Sequence, residues 1–422
     1  MEKSLAHWKA EHPLLFVSLC ICMGLLLQYE SEANGLQMLP KISFGLILIS
    51  LLGYYLNNRY IKNFQIQGLL IIGILMIWGF CMGNLTTGYI PENWIEVHLP
   101  FIQILRNAII KKMNHYIVHQ EESGFAQALL LGVKTNLDKN ILHAYLQLGI
   151  IHIIAISGMH IDLIFKNLLK ITSWLPHHLV FKWLELILIL SGVWTYTFIA
   201  FASASIVRAS LFFSIYLIGR FFQQPRYTLN CIAGGLLIML IWDKQSGGQL
   251  GLQLSYAAVL GIYLFHPLIV KLLPMDNIIL HLVWSSFSIS FAAQLTTLPL
   301  ILFHFHQISP IILVSNFVIV PLSNLLLYAL LIFIISPQQF HIAQILGNGI
   351  ENYIHWLNQS ILFFYEKGMG NTFYSTWSSS QVGMYYCCLF WGYLWWYRTQ
   401  PRYFLYILRL WVVHSFIKLF SY

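Results

Sequence analysis

The sequence predicts an all-α protein: a polytopic transmembrane bundle of about ten to twelve spans, with short amphipathic helices between some of them. Three observations predict it. Hydrophobic residues make up 58% of the 422 residues and charged residues only 9%, whereas a soluble chain carries roughly 25% charged residues. Apolar windows long enough to cross a bilayer, which takes about 20 residues, recur along most of the chain. Residues 277–350 contain no Lys, Arg, Asp or Glu at all.

The first window follows MEKSLAHWKAEHP. No small-residue cleavage site accompanies it, so it reads as a retained span and not as a removable signal peptide. Apolar patterning places spans near 14–29, 42–56, 66–86, 144–165, 183–202, 204–221, 228–242, 254–272, 279–303, 310–335, 383–397 and 403–420. Residues 1–90 are then a set of N-terminal membrane helices. Residues 91–143 are an external polar and amphipathic segment, with helices near 99–118 and 121–132. Residues 144–335 are a central membrane domain. Residues 336–422 are an amphipathic segment, IENYIHWLNQSILFFYEK, followed by C-terminal membrane helices. Each polar stretch either lies flat on the membrane surface or connects spans as a helix packed on the bundle.

Basic residues in short loops set the orientation. With the N-terminus in the cytoplasm, Lys3 and Lys9, Arg59 and Lys62, Lys166, Lys170 and Lys182, and Arg220 and Arg226 all lie inside. The segment 87–143 then lies outside, although it holds Arg106, Lys111, Lys112, Lys134 and Lys139. It breaks the charge rule, but an external basic segment suits an incoming polyanion. The net charge of +8 fits both a positive-inside bias and a nucleic-acid path. The six cysteines lie in or beside apolar segments without the spacing of a zinc site or a disulfide scaffold.

Charges at membrane depth are costly and mark functional positions by default. Asp162, Glu185 and Arg208 are the candidates. Arg208 sits in FASASIVRAS, where small neighbours such as Ser205 let other backbones approach. It snorkels to headgroups, pairs with Asp162 across the bundle, or faces a wet cavity where its fork matches a phosphate. HIIAISGMHID crowds His152, Ser157, Gly158, His160 and Asp162 into one membrane segment. Gly158 after Ser157 breaks or kinks a helix. Broken helices at this depth occur where they are buried in protein or line a cavity. Gln253, Ser255, Gln294, Thr296, Thr297, Asn316 and Asn324 add uncharged polar groups, with Pro299 and Pro321 as kinks. Each alone reads as helix–helix glue, and their number suggests a polar interior.

These segments, in this order, resemble the transmembrane competence domain of the ComEC family of DNA-uptake channels. The leading match is ALLLGVKTNLDKNILHAYLQLGIIHIIAISGMHIDLI at 128–164. FASASIVRASLFF is similar to the family's Ser-Ala-x-x-Arg-Ala segment, and GLQLSYAAVLGI to its Gln-Leu-Ser segment. SFAAQLTTLPLILFHFHQISPIILVSNFVIVPL is similar to its Gln-Leu-x-Thr-x-Pro and Asn-(apolar)-Pro segment. The similarity covers about 125–330, within the central domain 144–335 and the stretch before it. It implies carriage of single-stranded DNA through the bacterial cytoplasmic membrane during natural transformation. It also carries over His152, Ser157, His160, Arg208, Gln253, Gln294, Asn316 and Pro321 as channel-domain positions, and the expectation drawn here is that these, with Gly158, Asp162, Ser205 and Ser255, line the path.

The departures are as informative. Residues 91–143 are too short for the complete external OB-like domain of many members. The metallo-β-lactamase-like domain of others needs His-x-His-x-Asp-His. The only His-x-His here is His304–His306, followed by Gln-Ile. No G-x-x-x-x-G-K-[ST] phosphate loop occurs. The expectation is a passive conduit with no cofactor and no catalytic residue, served by a separate DNA receptor, cytoplasmic motor and nuclease, or a reduced channel without them. Two rivals stand beside it. One is a transporter of another small or lipid-linked solute. The other is an intramembrane hydrolase using Ser157 as nucleophile and a histidine as base, for which the sequence shows neither base geometry nor an oxyanion hole.

Overall fold

The computed structural model describes residues 98–133, 137–176, 178–223, 228–243, 247–337, 341–369 and 372–398. The spans expected near 14–29, 42–56, 66–86 and 403–420 lie outside the described residues. What is described is almost wholly helical: α1 (Pro100–Tyr116), α2 (Gln120–Leu131), α3 (Lys139–Gln147), α4 (Ile151–Ile154), α5 (Gly158–Thr172), α6 (Leu179–Ile199), α7 (Ala204–Phe221), α8 (Thr228–Trp242), α9 (Leu250–Val270), α10 (Ile278–Phe305), α11 (Ile312–Ile335), α12 (His341–Phe364) and α13 (Ser379–Arg398). Two short strands, β1 (Gln307–Ile308) and β2 (Phe373–Tyr374), pair antiparallel.

Five of these helices are long and apolar enough to cross a membrane: α6 from Val180, α7, α9, α10 and α11. The apolar α8 has 15 residues. At about 1.5 Å per residue that is roughly 22 Å, short of a hydrocarbon core of about 30 Å. The protein is an all-α polytopic membrane protein. The expected span at 144–165 is not one helix. Leu148–Ile150 and Ala155–Ser157 interrupt it, which leaves α3, α4 and α5. Gly149 turns the first break with φ +76°, and a Cβ there would lie 2.8 Å from Ile312 Cγ1.

The described residues fall into two compact units. One holds 98–105 and Ser157–Gln249. In it, α5 and α7 run parallel with α6 antiparallel to both. Gly158 meets Ala209 at one end, Phe165 stacks on Phe213 at 4.5 Å midway, and Thr172 and Leu217 share a cleft at the other end. Gly192 admits Leu168 of α5, whose Cδ1 would lie 2.7 Å from an added Cβ. Polar pairs fasten α6 to α7. Thr197 and Ser210 hydroxyls bond at 2.6 Å, and Trp194 Nε1–H donates to Ser214 at 3.1 Å.

The other unit holds Arg106–Ile156 and 250–398. Its α9–α10 pair makes the most extensive helix contact of the unit, and small residues make it possible. Ala257 and Gly261 are four apart on α9, the spacing that lets membrane helices approach. A Cβ on Gly261 would lie 2.5 Å from the Ala292 carbonyl oxygen. Thr296 Oγ1–H donates across to Ala257 O at 2.7 Å. The helices expected near 99–118 and 121–132 are α1 and α2. Residues Glu122–Leu131 of α2 are all buried, and α2 packs with α3 and α11 on the amphipathic α12. These helices pack on the unit.

Candidate functional site

Ser157 starts α5. Its Oγ accepts the Met159 N–H at 3.3 Å, and His160 Nδ1 accepts the Ser157 N–H at 3.3 Å. This is a capping box, with histidine in the place usually held by Glu or Gln, and it explains why the helix breaks before Gly158. Ser157 Oγ also stands 3.3 Å from His160 Nδ1, the contact a hydrolase would need. That nitrogen already accepts a backbone N–H, however, so its lone pair belongs to the cap. His160 is 1% exposed.

Gly158, in the first turn, lets α7 come close. An added Cβ would lie 3.3 Å from Ala209 Cβ and 3.7 Å from Arg208 Nη2. Arg208 is 6% exposed and its Nη2–H donates to Ser205 Oγ at 3.3 Å. It is therefore enclosed by protein and does not snorkel. The turn that feeds α7 is unusual. Phe201 and Ala202 have φ of 60° and 47°, a left-handed conformation rare for residues with a Cβ. Because α5 and α7 are parallel, both N-termini lie at the Arg208 end. Helix N-termini carry partial positive charge, and two of them stand here with the guanidinium, beside the C-terminus of α6.

Six expected residues thus gather in one unit: Ser157, Gly158, His160, Asp162, Ser205 and Arg208. Asp162 takes a separate role. Its carboxylate accepts from Lys166 Nζ at 2.7 Å, one turn along α5, so the expected alternative of an Asp162–Arg208 pair is not formed. Glu185 is likewise matched, by Arg220 at 3.2 Å.

The remaining six lie in the other unit. His152 is exposed on α4, and Gln253 and Ser255 are half-buried on α9. Gln294 on α10 has a buried Nε2 with no protein partner among the described residues, and Asn316 Oδ1 on α11 is in the same position. Ser323 Oγ and Asn324 Oδ1 continue the pattern on α11. Asn316 and Ser323 are seven apart and share a face. Pro321 lies on an exposed flank of the same helix, away from that face. Thr296 and Thr297 differ: both donate to backbone carbonyls, Thr296 across to Ala257 O of α9 and Thr297 within α10 to Ala293 O at 3.0 Å, so Thr296 joins two helices and Thr297 is satisfied inside its own.

One expected cation is used elsewhere. Lys112, placed by sequence in the external basic segment, is 7% exposed. Its ammonium donates to the carbonyls of Phe333, Ile334 and Ser336 at 2.7, 3.0 and 2.5 Å and so caps the C-terminus of α11. Sequence reasoning missed this, since a helix cap from 221 residues away leaves no local signal. Among the described residues no group of three or more His, Cys, Asp or Glu is placed to hold a metal ion.

A polytopic helical membrane protein with a broken helix and an enclosed arginine is the class that fold and site define. The family model described as Competence protein matches residues 129–399, and the chain belongs to that family. It is similar to ComE operon protein 3 of Bacillus subtilis (strain 168), with 27% identity over 254 residues. That match covers 58% of this chain and 30% of the relative, so the chain spans about a third of the length of the curated relative. No solved structure matches.

Proposed function

We propose that this protein carries single-stranded DNA inward across the bacterial cytoplasmic membrane during natural transformation. Membership of the Competence protein family supports a part in DNA uptake. The observation that carries the finer reading is Arg208. It is a guanidinium enclosed in a membrane-spanning helix, beside Gly158 at the shared N-terminal end of α5 and α7. A guanidinium with helix N-termini is chemistry suited to a phosphodiester. Uncharged polar atoms on α10 and α11 without protein partners among the described residues supply groups for water or a moving strand. Steps that need a receptor, a motor or a nuclease fall to separate polypeptides in this reading. A transporter of small or lipid-linked solutes would use a polar interior too, and an anionic solute would also suit the arginine, so family membership is what favours DNA.

The test is uptake of labelled DNA in a strain whose only copy carries Arg208→Gln. At equal membrane abundance, DNA reaching the cytoplasm should fall at least about tenfold, the equivalent of one lost charge-assisted contact. Arg208→Lys should be intermediate, since it keeps charge and loses the fork. Normal uptake in Arg208→Gln would remove the residue from the path. Normal transformation in a deletion strain would favour the solute transporter.

A further inference from the structure

The end of α5–α7 opposite Arg208 carries a separate cleft of about 240 Å³. Thr172, Ser173, Lys182, Glu185, Arg220 and Gln223 supply its polar groups. Sites for drug-sized ligands run to about 300–1,000 Å³, so this one suits something smaller. The carboxylate of Glu185 is matched by Arg220. That bond uses one of the five N–H donors of the guanidinium. Lys182 Nζ has no partner among the described residues and is exposed. The α6 N-terminus opens here as well, and its N-cap, His178, makes no side-chain cap. The Thr172 and Ser173 hydroxyls donate to carbonyls of α5, so the donors left free in the cleft are the Lys182 ammonium and the remaining N–H groups of Arg220, beside the C-terminal ends of α5 and α7.

What surrounds the cleft identifies the level at which it sits. Trp174 is 89% exposed, and Trp183 and Phe222 are also well exposed. Trp183 packs on Phe221 at 4.4 Å between ring centres. Exposed aromatic residues at the ends of spans mark the membrane–water boundary, and Lys and Arg gather on its cytoplasmic side. Lys170, Lys182 and Arg220 are at this end. Basic pockets between spans at that level take anionic headgroups.

We propose that this cleft binds the phosphate of an anionic phospholipid headgroup, with Lys182 and Arg220 as its cationic contacts. The lipid clamps the cytoplasmic ends of α5, α6 and α7 and does not depend on what passes at the Arg208 end.

The experiment uses the full chain purified in a non-ionic detergent. Phosphatidylglycerol, phosphatidylcholine, inorganic phosphate and a single-stranded oligonucleotide are added in separate arms, with thermal unfolding and native mass spectrometry as readouts. Phosphatidylglycerol should raise the unfolding midpoint by several degrees, saturably, and remain bound in the spectrum. The other three should not. Lys182→Gln, and separately Glu185→Gln with Arg220→Gln, should each lower lipid occupancy at least fivefold. The double variant removes both members of the ion pair and so leaves no orphan charge. If it does not accumulate, Lys182→Gln decides alone, because that side chain is exposed and unpaired among the described residues. Unchanged occupancy in Lys182→Gln overturns the proposal. So does an equal shift with phosphatidylcholine, or a shift with inorganic phosphate or the oligonucleotide in place of the lipid.

Discussion

Within α5–α7 most hydrophilic side chains other than Arg208 are tied to named partners, whereas on α10 and α11 several have none among the described residues. Thr197 bonds Ser210, Trp194 bonds Ser214, Asp162 takes Lys166, and Glu185 takes Arg220. Gln294, Asn316, Ser323 and Asn324 each leave a buried atom without a protein partner. A buried polar group left unsatisfied costs about 1–3 kcal/mol. Three bonds of the first set hold α6 to α7, and the Asp162–Lys166 pair lies within α5. The second lowers stability, and its cost is offset only where water or a ligand reaches it. Under the proposed function, the first set belongs to the scaffold and the second, with Arg208, to the path.

The largest expected effect breaks the scaffold of the second unit. Gly261→Leu places side-chain atoms against the Ala292 carbonyl and Thr296, and neither can move without parting α9 from α10. Overpacking usually costs about 1–3 kcal/mol and more where backbone blocks relaxation, so most of the folded protein should be lost on size exclusion in detergent. Lys112→Met comes next. It leaves three carbonyls at the end of α11 without their ammonium and should cost about 2–3 kcal/mol in thermal unfolding. Asn316→Leu tests the comparison directly. It removes a buried oxygen that has no protein donor among the described residues, so stability should hold or rise by about 1 kcal/mol while DNA uptake falls. Thr197→Val should do the reverse, losing about 1 kcal/mol with uptake kept. If Asn316→Leu destabilises as Thr197→Val does, the distinction fails.

Much of the fold was legible because apolar runs of span length bound each helix. The expected 204–221 and 228–242 coincide with α7 and α8, and 183–202, 254–272, 279–303, 310–335 and 383–397 lie within a few residues of the observed ends. Of the two breaks in the span at 144–165, the one at Gly158 was legible as a break or kink and the one at Leu148–Ile150 was not. Hydropathy is blind to a cap, and Ser157-x-x-His160 differs from the usual Ser-x-x-Glu or Ser-x-x-Gln box by one residue. Arg208, Ser205 and Gly158 could be grouped by their residue types, yet only the parallel α5 and α7 bring them together. Lys112 was unreadable, because its role depends on where α11 ends.

A smaller effect tests the cap itself. Ser157→Ala removes an N-cap worth about 1 kcal/mol and should leave DNA uptake mostly intact. His160→Gln keeps the box and should cost less. Abolition of uptake by Ser157→Ala without loss of folded protein would instead revive the hydrolase.

The smallest effect is a pH dependence where the α1–α2 connection meets α12. His119 bonds the carboxylate of Glu351, which also accepts the Val118 N–H at 2.6 Å. The hydrogen bond and charge of Glu351 raise the His119 pKa above its ordinary 6.5. For Glu351, burial is the largest influence and pushes upward. The bonds from His119 and Val118 outweigh it together and hold the carboxyl below its ordinary 4.5. The signs follow from linkage. The histidine's contribution is full below 6.5 and lost as pH rises through its raised value. The carboxylate's contribution is present above 4.5 and lost as pH falls through its depressed value. This contact should therefore be tightest between about 4.5 and 6.5, and hydrogen exchange at residues 117–123 should quicken as pH rises beyond it, after correction for intrinsic rates. His119→Ala should flatten that excess. The change should be modest, because the histidine side chain is 73% exposed and solvent screens the pair. An unaltered profile in His119→Ala would leave the Val118 bond as the whole of the contact.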